Sequence, residues 1–406
     1  MERDLKIFTD NIEPEALSQI YALLAQPAFS GAKVRIMPDV HAGAGCVIGF
    51  TADLGDKVIP NVVGVDLGCG MRVVEFGKVD IDLAALDAFI HENIPAGFEV
   101  NDKPQVPAKV LPLLMSLHCL SQLSGLDRIR CGVGSLGGGN HFIEIDEDEE
   151  GNKYLVIHTG SRNLGKQVAE IYQNMAIKHC REEVKPLIES KISELKAAGR
   201  QSEIPAAIAE IYAAHKDMSV PKDLCFLEGD GRERYLHDMR ICQKYAVLNR
   251  EVIASKITSF LGLKPIAEWE SVHNYIDDSN MVRKGAIAAH KGQKVIIPLN
   301  MRDGSIIGIG LGNPEWNESG PHGAGRIMSR SQAKASVSMD DFRDSMKDIY
   351  TTTVSESTID EAPMVYKNPT EIIEAIGDTV RIAKIIKPVY NFKASEDGTP
   401  PWRKGD

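Results

Sequence analysis

A glycine-rich turn between two apolar runs places the first constraint on the fold of this chain. Residues 64–71 have the sequence Gly-Val-Asp-Leu-Gly-Cys-Gly-Met, after the apolar residues 58–63 and before residues 71–76, which also have strand character. Short apolar runs bounded by turn residues are typical of β-strands. We therefore predict a strand, a tight turn whose glycines let the backbone bend around a small object, and a second strand.

Asp66 and Cys69 are the side chains of this turn that can carry a negative charge. A carboxylate and a thiol on one bend can act together as metal ligands. In the alternative interpretation, Asp66 caps the turn and Cys69 is a small buried apolar residue. The turn taken alone favours that alternative, whereas the other histidine-bearing loops of the chain favour the metal ligands.

A second loop of this kind lies at residues 37–45, between a predicted strand at 33–37 and another at 46–51. Asp39 and His41 are two positions apart, so in an extended segment their side chains lie on the same face. An Asp that orients a catalytic or metal-binding His and an Asp that only caps a turn are equally supported by this spacing.

Residues 132–145 contain the pattern G-x-G-x-x-G, which is typical of dinucleotide-binding folds. The residues that follow the glycines alternate as in a strand, whereas the dinucleotide motif requires a helix there, so we reject that interpretation. The glycines instead predict a close approach of the backbone to a ligand near Asn140, His141 and Glu144.

Three more histidines occupy strand ends or glycine-rich loops. His158 ends a predicted strand and precedes Ser161 and Arg162, which suit an anion at a helix start; the alternative is a core histidine bound to a backbone carbonyl. His273 lies in the loop 270–275. His322 lies in a glycine bend that we expect to open a basic helix.

Composition excludes several classes of protein. The chain has 406 residues, with 57 acidic against 46 basic side chains and a formal net charge of −11, so any phosphate-binding surface must be local. Seven cysteines without a Cys-x-x-Cys pair argue against a disulfide framework. Residues 1–6 lack an apolar core and no run approaches ~20 apolar residues, so we expect a cytoplasmic protein without membrane association.

The pattern along the chain predicts an α+β fold. Helical spacing appears at residues 13–26, 82–92 and 106–123, throughout most of about 162–262, and near 370–387, and a short extended piece follows at 389–393. We expect one large domain over residues 1–406, with a mixed β core that carries the metal site, an inserted helical segment at about 162–262, and a mobile tail at 394–406. His179, His215 and His237 are interpreted as surface histidines.

Five metal-capable side chains lie in loops or at strand ends: Asp66, Cys69, His141, His158 and His273. Two divalent ions about 3.5–4 Å apart need some five or six protein ligands with positions left open for substrate. The set supplies that number, although spacing alone does not establish it.

Six motifs resemble, in order, those of the RtcB family: residues 37–41, 64–71, 139–144, 158–162, 273–275 and 322–326. The resemblance implies a GTP- and manganese-dependent RNA ligase that joins 3′-phosphate or 2′,3′-cyclic phosphate ends to 5′-hydroxyl ends. By it, Asp66, Cys69, His141, His158 and His273 would hold two Mn²⁺ ions, with the Cys69 thiolate bridging them. His322 would be the nucleophile that becomes guanylylated.

The resemblance also implies a GTP pocket, formed by Asn140, His141, Phe142, Glu144, His273, Asn274, Asn300, Met301, Ser305, His322, Gly323, Ala324, Gly325, Arg326, Tyr366 and Lys393. Supporting or substrate-binding roles would fall to Asp39, His41, Arg162, Arg283 and Lys284. Residues 298–302, Pro-Leu-Asn-Met-Arg, depart from the Pro-Gly-Ser-Met-Gly of many members, and the chain extends beyond the near-terminal lysine. The first departure affects how the phosphates or ribose would be held.

The predicted function is therefore RNA ligation in RNA repair or tRNA splicing by a monomer, with GTP and RNA, or DNA ends, as partners. One alternative is an enzyme that only caps 3′-phosphate ends with GMP, and another is a metal-dependent cyclic phosphodiesterase. A thiolate is a soft ligand for manganese, so we expect zinc to compete. Without metal, we expect Cys69 to be exposed in a polar loop.

Overall fold

The computed structural model describes residues 4–182, 185–216 and 220–394. The tail predicted at 394–406 lies outside the described residues except for Ala394, as does the side chain of His215. The helices are α1 (Pro14–Leu24), α2 (Leu83–Asn93), α3 (Pro107–Met115), α4 (Leu126–Cys131), α5 (Arg162–Glu182), α6 (Lys185–Ala197), α7 (Ile204–Lys216), α8 (Gly229–Leu261), α9 (Arg330–Ser336), α10 (Met339–Ser345) and α11 (Pro369–Ala375). The strands are β1 (Leu5–Ile7), β2 (Val34–His41), β3 (Ile48–Asp53), β4 (Lys57–Val58), β5 (Gly70–Gly77), β6 (Phe142–Glu147), β7 (Lys153–Thr159), β8 (Leu227–Glu228), β9 (Ala267–Val272), β10 (Asn274–Ile276), β11 (Met281–Lys284), β12 (Ala286–Ala288), β13 (Lys294–Asn300), β14 (Gly304–Gly310), β15 (Ser319–Pro321) and β16 (Val380–Lys393).

A seven-stranded antiparallel sheet has the order β13-β14-β16-β6-β7-β5-β9; His158 lies in it, and Cys69, His141 and His273 lie directly beside the ends of its strands. Its register places Met71 of β5 opposite His158 of β7, and Phe142 of β6 opposite the same histidine. Gly70 pairs with Val272 at the end of β9, directly before His273. The adjoining ends of β5, β6, β7 and β9, together with their loops, therefore meet at one end of the strands of this sheet.

A second sheet, in the order β1-β2-β3-β11-β10, is mixed because β1 and β2 are parallel and the other neighbours are antiparallel. An irregularity between Ile36 and His41 interrupts the pairing of β2 with β3, and Asp39 lies within it. The α+β fold class predicted from the sequence is confirmed. The single-domain organisation remains a prediction.

The helical segment predicted at about 162–262 is formed mainly by α5 to α8. Its long helix α8 packs along β5 and β7 with a buried stripe that includes Tyr235, Met239, Cys242 and Ile257. Burial of such a stripe removes apolar surface from water and fixes the helix on the sheet. The fully buried Arg250 interrupts the apolar stripe at the level of the 64–71 turn.

Two predicted elements are wrong. The helix expected near 370–387 ends at Ala375, and β16 occupies Val380–Lys393 instead. Strands β14 and β6 satisfy the backbone of β16 on both sides, and this tertiary pairing overrides the local helical pattern. The strand expected at residues 58–63 is also wrong, since β4 ends at Val58 and a 3₁₀ turn follows at Pro60–Val62.

Candidate metal centre and nucleotide cavity

The five side chains Asp66, Cys69, His141, His158 and His273 converge on one point although 207 positions separate the first from the last. Cys69, His158 and His273 have potential ligand atoms within 4.8 Å of one another, and so do Asp66, Cys69 and His141. Cys69 belongs to both groups. The arrangement therefore consists of two three-residue groups that share a thiol.

The distances between donor atoms are those of a closely packed centre. Cys69 Sγ lies 3.3 Å from His158 Nε2 and 3.6 Å from His141 Nε2. His141 Nε2 lies 3.0 Å from Asp66 Oδ2, and the Nε2 atoms of His158 and His273 are 3.3 Å apart. Nitrogen, sulfur and carboxylate donors at these separations suit a divalent transition-metal ion.

Backbone carbonyls orient two of the histidines. His141 Nδ1 lies 2.9 Å from the carbonyl oxygen of Leu136, and His158 Nδ1 lies 3.1 Å from that of Asn140. With the proton on Nδ1, each ring donates to its carbonyl and presents the lone pair of Nε2 to the centre. His158 therefore makes the backbone-carbonyl contact expected of a core histidine, and it also belongs to the metal-capable cluster.

The backbone of the 158–162 loop packs tightly against the Asp66 side chain. A Cβ atom at Gly160 would lie 2.1 Å from Asp66 Oδ1, so only glycine permits this carboxylate to lie against the 158–162 loop. The Ser161 backbone N–H donates to the same oxygen at 3.1 Å. Arg250 Nη1 donates to the carbonyls of Gly68 at 3.0 Å and Thr159 at 2.8 Å, which fixes the Asp66 turn against the end of β7.

Electrostatics distinguish the two metal-capable side chains of the glycine turn. Burial raises the pKa of Asp66, but the hydrogen bond and charge of His141 and the charge of Arg162 outweigh it and lower the pKa to about 2. Burial, followed by the nearby Asp66 carboxylate, raises the pKa of Cys69 well above its usual range. A Cys69 thiolate therefore requires compensating positive charge, which a bound cation would supply.

Only 2% of the Cys69 surface is accessible, whereas its exposure in the metal-free protein stays a prediction. The flanking histidines and helix α8 cover the turn. His158 and His273 are also buried, and burial lowers the pKa of each ring well below its usual value. Both rings are thus neutral at pH 7, the form in which imidazole binds metal ions.

His322 lies beside the centre and is held by a carboxylate. Its ring centroid is 4.9 Å from that of His273, and its Nδ1 lies 2.7 Å from Asp39 Oδ2. The same oxygen accepts the backbone N–H groups of His322 at 3.0 Å and Gly323 at 3.2 Å. The Asp39 carboxylate therefore orients His322, and it does not orient His41 as one of the two interpretations of the sequence proposed.

His41 instead contacts the backbone carbonyl of Asp39 through Nδ1 at 2.9 Å. Burial lowers the pKa of His41 to about 4, so its ring is neutral at pH 7. The expectation that His322 opens a basic helix is wrong, because α9 begins at Arg330 and is capped by Ser329. Residues between β15 and α9 form a loop in which Gly325, with a φ of +77°, lies against the Asp39 backbone.

A cavity of about 1040 Å³ opens beside His322. This volume exceeds that of typical small-ligand sites, so it has room for a nucleotide and part of a second substrate. Most of the nucleotide residues predicted from the family resemblance line it: Asn140, Phe142, Glu144, Asn300, Met301, His322, Gly323, Ala324, Gly325, Arg326, Tyr366 and Lys393. His41 and His158 line it too.

One buried carboxylate of the cavity wall, Glu361, has no role in the sequence-based prediction. It pairs with Lys393 Nζ at 2.9 Å, Arg330 Nη1 at 2.9 Å and Arg326 Nη1 at 3.2 Å, and it accepts the hydroxyl of Tyr366 at 2.5 Å. Burial raises the pKa of Glu361, but these three cations lower it to about 2. Glu361 lies in a short 3₁₀ turn without flanking glycines, so no sequence motif marks it.

Glu144 also lines the cavity, and its pKa is shifted in the opposite direction from that of Glu361. It is 2% exposed and accepts a hydrogen bond from Asn391 Nδ2 at 2.6 Å. Burial raises the pKa of Glu144 to about 7, against the opposing effects of Asn391 and the more distant Lys393. The cavity wall therefore includes a buried carboxyl group whose neutral form is favoured by burial.

Several predicted residues do not line the cavity. Asn274 accepts the Gly285 N–H at 2.9 Å, and Ser305 is fully buried in β14. Three basic side chains bind neighbouring protein groups instead: the half-buried Arg162 donates to the carbonyl of Gly97, the buried Arg283 pairs with Asp277, and the buried Lys284 donates to the carbonyls of Ala44 and Asn61. Arg162, Arg283 and Lys284 thus hold neighbouring loops in place, and a contact of these side chains with substrate stays a prediction.

The divergent segment at 298–302 forms a compact turn on the cavity rim. Asn300 Oδ1 accepts the N–H groups of Arg302 at 3.0 Å and Asp303 at 2.9 Å, and Asn300 Nδ2 donates to Asp303 Oδ2 at 2.8 Å. Arg302 pairs with Asp303 at 2.9 Å. The segment therefore satisfies its own polar side chains and presents Pro298, Leu299, Asn300 and Met301 to the cavity.

Comparison with known proteins adds independent information. The family model described as tRNA-splicing ligase RtcB matches residues 19–118 and 120–394. The RNA-splicing ligases RtcB1 of Escherichia coli strain ATCC 25922 and RtcB of strain K12 are each 28% identical over 420 residues, which cover 94% of this chain and 95% of the relative. The tRNA-splicing ligase RtcB of Aeropyrum pernix is 25% identical over 443 residues, covering 86% of this chain and 85% of that protein.

The fold and site define an α+β protein with a buried centre of Asp, Cys and His side chains beside a nucleotide-sized cavity. A matching family model extends over nearly the whole chain. The chain belongs to the RtcB family. Within the described part of the structure, no helix is both long and apolar enough to cross a membrane.

Proposed function

We propose that this protein is a GTP-dependent RNA ligase that joins 3′-phosphate or 2′,3′-cyclic phosphate ends to 5′-hydroxyl ends through a guanylylated His322. The observation that carries the proposal is the contact between Asp39 Oδ2 and His322 Nδ1, 2.7 Å long, at the edge of the cavity. The contact keeps the proton on Nδ1, so the lone pair of Nε2 is free to attack phosphorus. Asp39 also stabilises the positive charge that the ring acquires on attack.

In the first step, His322 Nε2 forms a bond to the α-phosphorus of GTP while the bond to the β-phosphate oxygen breaks and pyrophosphate leaves. In the second step, an oxygen of the RNA 3′-phosphate attacks the same phosphorus, which transfers GMP to the RNA and frees the histidine. A 2′,3′-cyclic phosphate must first be opened by water. In the last step, the 5′-hydroxyl oxygen attacks the RNA 3′-phosphate, and GMP is the leaving group.

Two divalent ions fit the donor set of Asp66, Cys69, His141, His158 and His273, with Cys69 common to both groups. Bound Mn²⁺ would supply charge stabilisation for phosphate oxygens during these transfers. The protein side chains provide the orientation: carbonyl contacts fix His141 and His158, and Arg250 fixes the turn that carries Asp66 and Cys69.

The polar groups of the cavity support a guanine nucleotide. Guanine presents hydrogen-bond donors on one edge and acceptors on another, and Glu144 and Lys393 offer a complementary acceptor and donor. Tyr366 supplies an aromatic surface next to Arg326, whose guanidinium carbon lies 5.5 Å from the ring centroid. The cationic side chains around Glu361 balance its charge and keep the cavity from repelling phosphate.

The experiment supplies Mn²⁺, GTP, one RNA strand with a 3′-phosphate and a second strand with a 5′-hydroxyl. A joined product that requires GTP supports the proposal, and His322→Ala must abolish it. A GMP-tailed strand without joined product would identify a capping enzyme instead. Turnover of a cyclic phosphate end without GTP, with no joining, would identify a phosphodiesterase. Replacing the 3′-phosphate RNA strand by a DNA strand tests whether the 2′-hydroxyl group is required.

A further inference from the structure

A second histidine cluster lies on the helical side of the molecule, at the loop after α3 and on α8. His118 and His237 are 119 positions apart in the sequence, yet their ring centroids are 4.6 Å apart with an interplanar angle of 59°. His118 is exposed, and 43% of the His237 side-chain surface is accessible. Two imidazoles that approach this closely at the surface are close enough to bind one shared ligand.

A buried carboxylate lies directly beneath the two rings. Asp238 has no accessible surface, and its Oδ1 lies 3.0 Å from His237 Nδ1. The backbone N–H groups of His118 and Cys119 and the hydroxyl of Tyr172 donate to the carboxylate at 2.9, 3.0 and 2.8 Å. These three donors hold the carboxylate in place independently of His237.

The potential ligand atoms of all three side chains lie within 4.8 Å of one another. Two ligands bound to one zinc ion with bonds of about 2.0–2.2 Å stand roughly 3.0–3.6 Å apart. The separation of 3.0 Å between His237 Nδ1 and Asp238 Oδ1 falls in this range, so an ion could replace the proton that they share. Rotation of the exposed His118 ring would complete a third bond.

We propose that His118, His237 and Asp238 form a surface site for one divalent ion of the zinc class, separate from the central site. Two imidazoles and one carboxylate favour Zn²⁺ over Mn²⁺ or Mg²⁺, which prefer oxygen ligands. Water occupies the remaining coordination positions. The ion connects the loop after α3 to α8. Because Tyr172 of α5 contacts Asp238, the ion also stabilises the packing of α5 against α8.

The test measures bound zinc per chain by elemental analysis after the full-length protein has been stripped with a chelator, titrated with Zn²⁺ and gel-filtered. His118→Ala and His237→Ala should each lose one equivalent relative to the unmodified chain. The matched control is His290→Ala, since His290 Nδ1 lies 2.8 Å from Glu318 Oε2 on the surface, and the structure places no second histidine in that pair. This control should keep the full equivalent.

Substitution at the central site separates this proposal from the proposed ligase function. His141→Ala removes a ligand of the central site only, so the equivalent that depends on His118 should persist in that background. Unchanged zinc content in His118→Ala, whose exposed ring is not needed for folding, would overturn the surface site. Equal losses in His118→Ala and His290→Ala would show non-specific binding to surface histidines and would overturn it as well.

Discussion

Replacement of Asp39 by Asn tests the carboxylate that orients His322. Asp39 Oδ2 accepts three hydrogen bonds, from His322 Nδ1, His322 N and Gly323 N. A hydrogen bond to a charged group is worth roughly 1 kcal/mol more than one between neutral groups. The two backbone N–H bonds are the same before and after attack, so only the bond from the His322 ring affects the rate; loss of its charge costs roughly 1–2 kcal/mol in the step where the ring becomes positive, or about 10-fold in rate.

The geometry of the asparagine does not offset this loss. Its oxygen can occupy the Oδ2 position, but its NH₂ group then takes the position of Oδ1, which has no hydrogen-bond partner among the described residues. The substitution therefore replaces an unpaired acceptor by an unpaired donor at this position, and the loss of stability comes from the weaker bonds at Oδ2. We therefore expect slower guanylylation together with a lower melting temperature.

The assay is the single-turnover rate of adduct formation with α-labelled GTP and Mn²⁺. Asp87→Asn is the matched control, because Asp87 is also a buried carboxylate but accepts the hydroxyl of Tyr390 away from His322. It should lose stability without losing the rate of the folded enzyme. Labelling of Asp39→Asn at the rate of the unmodified chain would refute the orienting role.

Three further predictions concern the centre and its supports. Cys69→Ser should lose one of two manganese ions at limiting metal, measured by elemental analysis. The control is Cys46→Ser, which should keep both ions, because the buried Cys46 thiol contacts the carbonyl of the next residue, Val47. The pKa of Glu361, about 2 against an ordinary 4.5, predicts up to roughly 3 kcal/mol of stability that is present above pH 4.5 and is lost as the pH falls towards 2. In Glu361→Gln, the free energy of unfolding measured with urea should depend less on pH over this range. Arg250→Met should destabilise the protein by about 3–5 kcal/mol, since two buried carbonyls lose their donor and Glu270 keeps only Arg72, and an unchanged melting temperature would contradict this.

The metal-capable residues could be predicted from sequence because each lies at a strand end or in a glycine-rich loop, where a side chain is free to bind and backbone can approach closely. Asp66 and Cys69 share one turn, so their proximity follows from local structure. The partner of Asp39 could not be predicted, because His322 is 283 positions away and only the tertiary fold brings them together.

Other features depend on packing that the sequence does not display. Residues 380–393 carry lysines and isoleucines compatible with helix or strand, and the strand forms because β14 and β6 pair with both of its edges. Glu361 looks like a solvated acid until Lys393 and Arg326, from distant segments, close around it. Arg250 could have been noticed as a charge within an apolar helical stripe.

The most direct test of the proposed ligase mechanism is the mass of the intact protein after incubation with GTP and Mn²⁺, followed by peptide mapping under conditions that preserve phosphoramidates. The proposal predicts one GMP adduct per chain, acid-labile, on His322, and its transfer to an added strand with a 3′-phosphate. An adduct on another residue, or an adduct that His322→Ala also forms, would contradict the mechanism.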